Sequence, residues 1–97
     1  MKNLNTVKKI LVKHKPEIVK RFHVKEIGVF GSYVRNEQKK RSDVDILVEY
    51  SKVPGFFEYL DLEEYLSNLL NLKVDLVMKS ALKPYIGKYI LQEVMYL

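Results

Sequence analysis

Apolar positions recur along the chain with two different periods. Leu4, Val7, Ile10 and Leu11 fall at helical spacing, so residues near Asn3 to His14 are expected to form an amphipathic helix that Pro16 interrupts. One or two further helical turns are expected over Glu17 to Phe22, burying Ile18 and Phe22. A short apolar run, Ile27 to Gly31, reads as a first strand, followed by a short helix from Tyr33 to about Glu37. Asp43 to Tyr50 reads as a second strand, and Pro54-Gly55 marks a turn. Phe56, Tyr59, Leu62, Leu66, Leu69 and Leu70 then follow helical spacing, which predicts the longest helix, ending near Asn71, with its aromatic stripe in the core. Val74 to Met78 is a third strand. Pro84 opens a last helix with Ile86, Ile90 and Val94 on one face, weakened slightly by Gly87. The order helix, strand, helix, strand, helix, strand, helix gives an α/β sandwich: a sheet of three strands with about four helices against it.

Composition narrows this picture. The 97 residues suit one domain, 1–97, and 47% of them are apolar, ample for a core. Cysteine is absent, which excludes disulfides and thiolate metal sites and suits a cytoplasmic protein. The N-terminal stretch MKNLNTVKKILVKHK carries charges every few residues, so neither a signal peptide nor a membrane span is expected. The net charge of +5 is concentrated before residue 42, from Lys2 through Lys25 to the cluster Lys39-Lys40-Arg41. Such a surface favours nucleotide, RNA or an acidic protein face. Basic and aromatic residues do not interleave, so no direct nucleic-acid binding is expected. His14 and His23 have no partner at metal-ligand spacing and read as surface or satisfied core residues.

The chemistry gathers in residues 28 to 50, GVFGSYVRNEQKKRSDVDILVEY. Asp43 and Asp45 are two apart at the start of a strand, so their carboxylates share a face and repel unless a cation lies between them. Hard oxygen ligands of this kind suit Mg²⁺, which completes its shell with water and substrate phosphates. Gly31 lets the backbone turn sharply and lets a ligand approach, and Ser32 is placed to cap a short helix whose free N–H groups favour a phosphate. Taken singly, Gly-Ser is a common loop dipeptide and Ser-Asp-x-Asp a common polar turn. Joined across two strands with ten residues between Ser32 and Asp43, they read as one site. Arg35 either reaches a phosphate or braces the turn. Lys39 to Arg41 form either a solvated loop or a basic wall beside a triphosphate. Asp75 interrupts an apolar run, so it needs either the exposed face of an edge strand or a partner such as Lys73.

Gly31-Ser32 followed at this spacing by Asp43-x-Asp45 resembles the signature of the DNA polymerase β-type nucleotidyltransferase superfamily. Val29-Phe30-Gly31-Ser32-Tyr33-Val34-Arg35 is similar to its VFGSxxRG run, and Ser42 to Val48 to its SDxDLxV run. The short chain resembles the minimal nucleotidyltransferase, or MNT, branch, and essentially all of it is covered. One departure is Asn36 where the family often has Gly, a position where Asn tolerates left-handed angles.

The resemblance implies a nucleotidyltransferase fold and transfer of AMP from ATP to a hydroxyl with release of pyrophosphate. It implies two Mg²⁺ ions held by Asp43, Asp45 and Asp75, the last being the third carboxylate and able to take the acceptor's proton. Gly31 and Ser32 would hold the β- and γ-phosphates, and Arg35, Arg41 and Ser42 complete the candidate nucleotide-binding set. It also implies a partner, since MNT-domain proteins typically act as antitoxins to HEPN-domain ribonuclease toxins encoded nearby, modified at a hydroxyl such as that of tyrosine. Two other readings stay open. One is a binding module that neutralises the toxin without catalysis. The other is a nucleotidyltransferase for small molecules or RNA.

Overall fold

The computed structural model describes residues 2–97. Asn3, in extended conformation, accepts the Thr6 N–H through its side-chain oxygen at 3.0 Å and starts helix α1 (Leu4–Phe22). This cap satisfies one of the donors that a helix leaves free at its start. The break expected at Pro16 does not occur, and the helix runs through it for 19 residues. A proline inside a helix costs about 3 kcal/mol. Val7, Leu11 and Ile18, on both sides of it, are fully buried. Each such side chain contributes about 1.5–3 kcal/mol, enough to hold both halves to one face. His14 is partnered within the helix, its Nδ1 lying 2.9 Å from the Ile10 carbonyl oxygen. His23 closes the helix in the left-handed conformation, with φ of 57°.

The remaining elements are β1 (Val24–Phe30), β2 (Val44–Tyr50), α2 (Phe56–Leu70), β3 (Val74–Met78), α3 (Pro84–Glu93) and β4 (Met95–Tyr96). They form a four-stranded mixed sheet of order β3-β2-β1-β4, in which β2 and β3 run parallel and β1 is antiparallel to both β2 and β4. The expected α/β class holds, with four strands and three helices in place of three and about four. The added strand is β4, whose Met95 and Tyr96 align with Val29 and Gly28. Gly28 permits the approach, since a Cβ there would lie 2.7 Å from Val94 Cγ2 and 3.0 Å from the Met95 carbonyl oxygen. No helix among the described residues is long and apolar enough to cross a membrane.

Helices α1 and α2 cover one face of the sheet. Leu62, Leu66 and Leu70, four residues apart on α2, pack with Val7, Leu11 and Ile18 of α1 over Ile27, Val29, Ile46, Val48 and Leu76. The aromatic stripe expected in the core is only partly there. Tyr59 packs against the core, while Phe56 and Phe57 are 70% and 77% exposed in the first turn of α2.

The same helix closes the free edge of β3. Ser67 Oγ accepts the Val74 N–H and Glu63 the Leu76 N–H, both at 3.1 Å, and the Tyr59 hydroxyl donates to the Leu76 carbonyl. Side chains four apart on one helix thus satisfy backbone groups that would otherwise invite another strand.

Candidate active site

Strand alternation leaves Gly28, Asp45, Leu47, Glu49 and Asp75 on the face that α1 and α2 do not cover. The site is built at one end of it. β1 ends at Phe30, and Gly31, with φ of 80°, turns the chain into a 3₁₀ turn over Gly31–Tyr33. Val34 and Arg35 both donate to the Gly31 carbonyl, at 3.1 and 3.2 Å, and Glu37 donates to that of Ser32 at 2.8 Å. Tyr33, 2% exposed, anchors the turn in the core.

The helix expected from Tyr33 to Glu37 is therefore this single turn, which starts two residues earlier. Its N-cap is Phe30, with no side-chain cap bond, so Ser32 lies inside the turn and not at its cap. The left-handed glycine moves the start of the turn ahead of the serine. Asn36 takes up the left-handed angle, with φ of 57°, at the position where the resembling family often has Gly.

Asp45 aligns with Phe30 on one side and with Asp75 on the other. In a parallel pair, aligned residues project from the same face, so Asp45 and Asp75 are neighbours across the strands. Asp43 precedes β2 by one residue. Its Oδ2 lies 3.9 Å from Lys73 Nζ, so the lysine considered as a partner for Asp75 is beside Asp43 instead. Asp75 is exposed on the edge strand. The carboxyl of Asp45 is pushed up to about 6, first by burial, then by the charges of Asp75 and Asp43, against the pull of Arg35.

Gly31 is confined from a second direction. A Cβ built on it would lie 2.0 Å from Asp45 Oδ2, so both the backbone angle and the space exclude a side chain.

The other candidate residues are placed as follows. Arg35 Nε donates to Glu37 Oε1 at 2.8 Å, and Arg35 Nη1 to Glu93 Oε1. Ser42 closes its own loop, accepting the Lys39 N–H at 2.7 Å and donating its N–H to the Lys39 carbonyl at 3.0 Å. Arg41 is exposed in the same loop.

One residue was missed in the sequence. Glu93, the last residue of α3, accepts the Gly31 N–H at 2.9 Å. The available signal is its position. A carboxylate in the last turn of a helix faces the negative end of the helix dipole, so it is placed against the local electrostatics unless it has donors elsewhere. A cavity of 310 Å³ among Tyr50, Pro54, Met78 and Lys79 lies at the other end of β2 from Asp45.

A glycine-serine turn facing paired carboxylates across a mixed sheet is the arrangement of a nucleotidyl-transfer enzyme. Residues 11–97 match the nucleotidyltransferase domain family, and the chain belongs to that family. It is 55% identical over 96 residues to the protein adenylyltransferase MntA of Thermococcus cleftensis, covering 99% of this chain and 97% of that one. Among solved structures, it superposes with a TM-score of 0.77 on one described provisionally as a minimal nucleotidyltransferase, at 26% identity, over 94% of this chain and 95% of the other. It shares the fold of the MNT antitoxin crystallised with a tri-AMPylated HEPN toxin from Shewanella oneidensis, with a TM-score of 0.67 at 18% identity, over 93% and 70% of the two chains.

Family members of this kind imply divalent metal. Among the described residues, no three His, Cys, Asp or Glu side chains form a ready-made cage. Mg²⁺ is usually held by one or two carboxylates together with the substrate's own phosphates, so such a cage is not required. The carboxylate set fits this ion. Asp45 resists ionisation first because it is partly buried and then because the charges of Asp75 and Asp43 face it, and a cation there would offset both.

Proposed function

We propose that this chain is a Mg²⁺-dependent protein adenylyltransferase, a single minimal domain that moves AMP from ATP to a tyrosine of a HEPN-type ribonuclease encoded beside it and so silences that toxin in the cytoplasm. The observation that carries the reading is Asp45, set between Asp43 and Asp75 and in contact with the Gly31 turn. In this reading Asp43, Asp45 and Asp75 would hold two ions, whose charge would neutralise the phosphates and favour ionisation of the acceptor hydroxyl. Ser32 offers its N–H and hydroxyl to the β- and γ-phosphates, and Gly31, whose own N–H is held by Glu93, lets them approach the turn closely; Arg35, Arg41 and Ser42 flank them. The acceptor oxygen forms a bond to the α-phosphorus, the bond from that phosphorus to the bridging oxygen breaks, and pyrophosphate leaves. Asp75, exposed on the edge strand, takes the acceptor's proton.

Silencing follows from charge and bulk. An AMP group on a tyrosine near a ribonuclease centre puts a negative phosphate where the phosphates of RNA must bind. The relative named as the protein adenylyltransferase MntA and the fold shared with an MNT antitoxin of an AMPylated HEPN toxin support a toxin of that kind as the partner.

A second reading, toxin neutralisation by complex formation alone, is favoured by α3, where Tyr85, Ile86 and Tyr89 are 77%, 57% and 59% exposed. Intact-mass spectrometry separates the two. The neighbouring toxin, incubated with this protein, ATP and Mg²⁺, is expected to gain mass in AMP units, and to gain none with the Asp43→Asn variant. An unmodified toxin that is inhibited equally well by both proteins overturns the enzymatic reading.

A further inference from the structure

We propose that Glu93 is a positioning residue for nucleotide binding, holding the Gly31–Tyr33 turn in the conformation that receives phosphate; this rests on the nucleotidyl-transfer reading above. Its two carboxylate oxygens divide their work. Oε2 accepts the Gly31 N–H at 2.9 Å, and Oε1 accepts Nη1 of Arg35. Arg35 is held from its other edge by Glu37 at 2.8 Å. Glu93 therefore ties both ends of the turn to the end of α3. Its side chain is the least exposed member of this ion-pair group, at 21% against 51% for Arg35 and 58% for Glu37.

The carboxylate is itself held in place by backbone. Glu93 is followed by Val94, which passes over Gly28 at a distance that any side chain there would block, and then by β4, paired to β1. Leu97 donates its N–H to the Ile27 carbonyl at 3.0 Å, so the strand is fastened beyond its last paired residue. The path from Gly28 through β4 to Glu93 and back to Gly31 closes a ring on rigid elements, which is how precise geometry is kept at a site.

Glu93 occupies the N–H of Gly31 and leaves the N–H and hydroxyl of Ser32 without a partner among the described residues. A carboxylate that competed with phosphate for the turn would cover these donors. Glu93 holds the turn through the Gly31 N–H alone, and by pairing with Arg35 it keeps that side chain beside the turn that receives phosphate. Outer partners that orient metal ligands change affinity by about 10–100-fold when removed, and a group that orients a phosphate-binding turn is expected to act on a similar scale.

The test is calorimetric titration of ATP with Mg²⁺ into the wild type, Glu93→Ala, Glu93→Gln, Arg35→Ala and the Arg35→Ala/Glu93→Ala double variant, each at a temperature where it is folded. Glu93→Ala is expected to weaken binding by about tenfold or more. Glu93→Gln keeps an oxygen for the Gly31 N–H and is expected to recover part of that loss. The double variant is expected to be no weaker than the worse single one, since both groups act through one turn. Lost stability alone would lower the melting temperature without this order of affinities. Tighter binding by Glu93→Ala makes the carboxylate a competitor of phosphate and overturns the proposal, as does unchanged binding. A wild type that does not bind ATP overturns this proposal and the enzymatic reading together, whereas wild-type binding with an unaffected Glu93→Ala overturns this one alone.

Discussion

On the face of the sheet covered by α1 and α2, the strand side chains are Ile27, Val29, Val44, Ile46, Val48, Val74 and Leu76, and each is at most 3% exposed. On the opposite face the same strands present Gly28, Asp45, Glu49 and Asp75 beside one buried aliphatic, Leu47, with α3 and β4 as the neighbouring elements. The first face is held by aliphatic burial, which is non-directional and tolerates exchange of one side chain for another of similar volume. The second depends on particular groups: a glycine that admits Val94, another that admits Asp45, and a carboxylate that holds a backbone N–H. Stability and chemistry are thereby separated by the thickness of one strand, and the two faces are expected to answer mutation differently.

The largest expected effect is on the carboxylate face. Asp45→Asn is expected to lower nucleotidyl transfer by about 10³-fold, the loss of several kcal/mol of transition-state stabilisation. Its melting temperature without metal should be unchanged or raised, because a charge opposed by burial and by its like-charged neighbours has been removed. Turnover of labelled ATP and a thermal melt on the same sample measure both. Activity near that of the wild type would remove Asp45 from the site.

The converse substitution on the other face is Leu66→Ala, at a position that is fully buried. It is expected to cost about 2–5 kcal/mol in urea unfolding. Activity per folded molecule should be retained. A variant that lost activity while folded would show that the two faces are coupled through the sheet.

The contrast also explains what could be read from the sequence. The buried face announces itself in the local pattern: short apolar runs in β2 and β3 and helical spacing in α2 place these elements within about two residues of their ends. Asp43, Asp45 and Gly31-Ser32 stood out because their spacing joins two strands. What was missed depends on contacts between distant parts of the chain. The break expected at Pro16 is a local preference, overridden by burial of Leu11 before it and Ile18 after it. β4 is only two residues long, too short for a period, and exists because Gly28 leaves room for it. Phe56 fits the helical spacing of α2 yet lies outside the core, and periodicity alone does not mark where a helix enters a core. Glu93 belongs to no local motif; its meaning comes from Gly31, distant in sequence and adjacent in the fold.

A pH titration sharpens the comparison at moderate cost. The carboxyl of Asp45 is raised from 3.8 to about 6 in the folded chain. The folded state therefore binds this proton more tightly than the unfolded state, so this group's contribution to stability is largest at low pH and falls as pH rises from about 4 to about 6. Discounted for partial exposure, the change is about 1 kcal/mol. Urea midpoints measured across this window without metal should show that component in the wild type, and its disappearance in Asp45→Asn. Identical pH profiles for the two proteins would mean that Asp45 is not held against its neighbours.

The smallest effect tests whether close approach, not side-chain burial, seats α3. Gly87 is its only buried residue, while Tyr85, Ile86 and Tyr89 lie in the open. On helix propensity alone, Gly87→Ala should stabilise the chain by up to about 1 kcal/mol. A Cβ at this position, however, would lie 2.9 Å from Leu82 Cβ, inside the range of real contacts. That atom is fixed to the backbone and cannot swing away as the end of a long side chain can. Relieving the contact means shifting the start of α3 or the segment before it, and overpacking of this kind costs about 1–3 kcal/mol. The two effects oppose, and subtracting the full gain from the cost predicts a net loss of about 0–2 kcal/mol in urea unfolding. Because Glu93 is carried on the same helix, a shift of α3 should also weaken ATP binding, by less than Glu93→Ala does. A more stable Gly87→Ala variant with undisturbed ATP binding would show that α3 moves freely over the sheet and that its seat on Leu82 does not position the site.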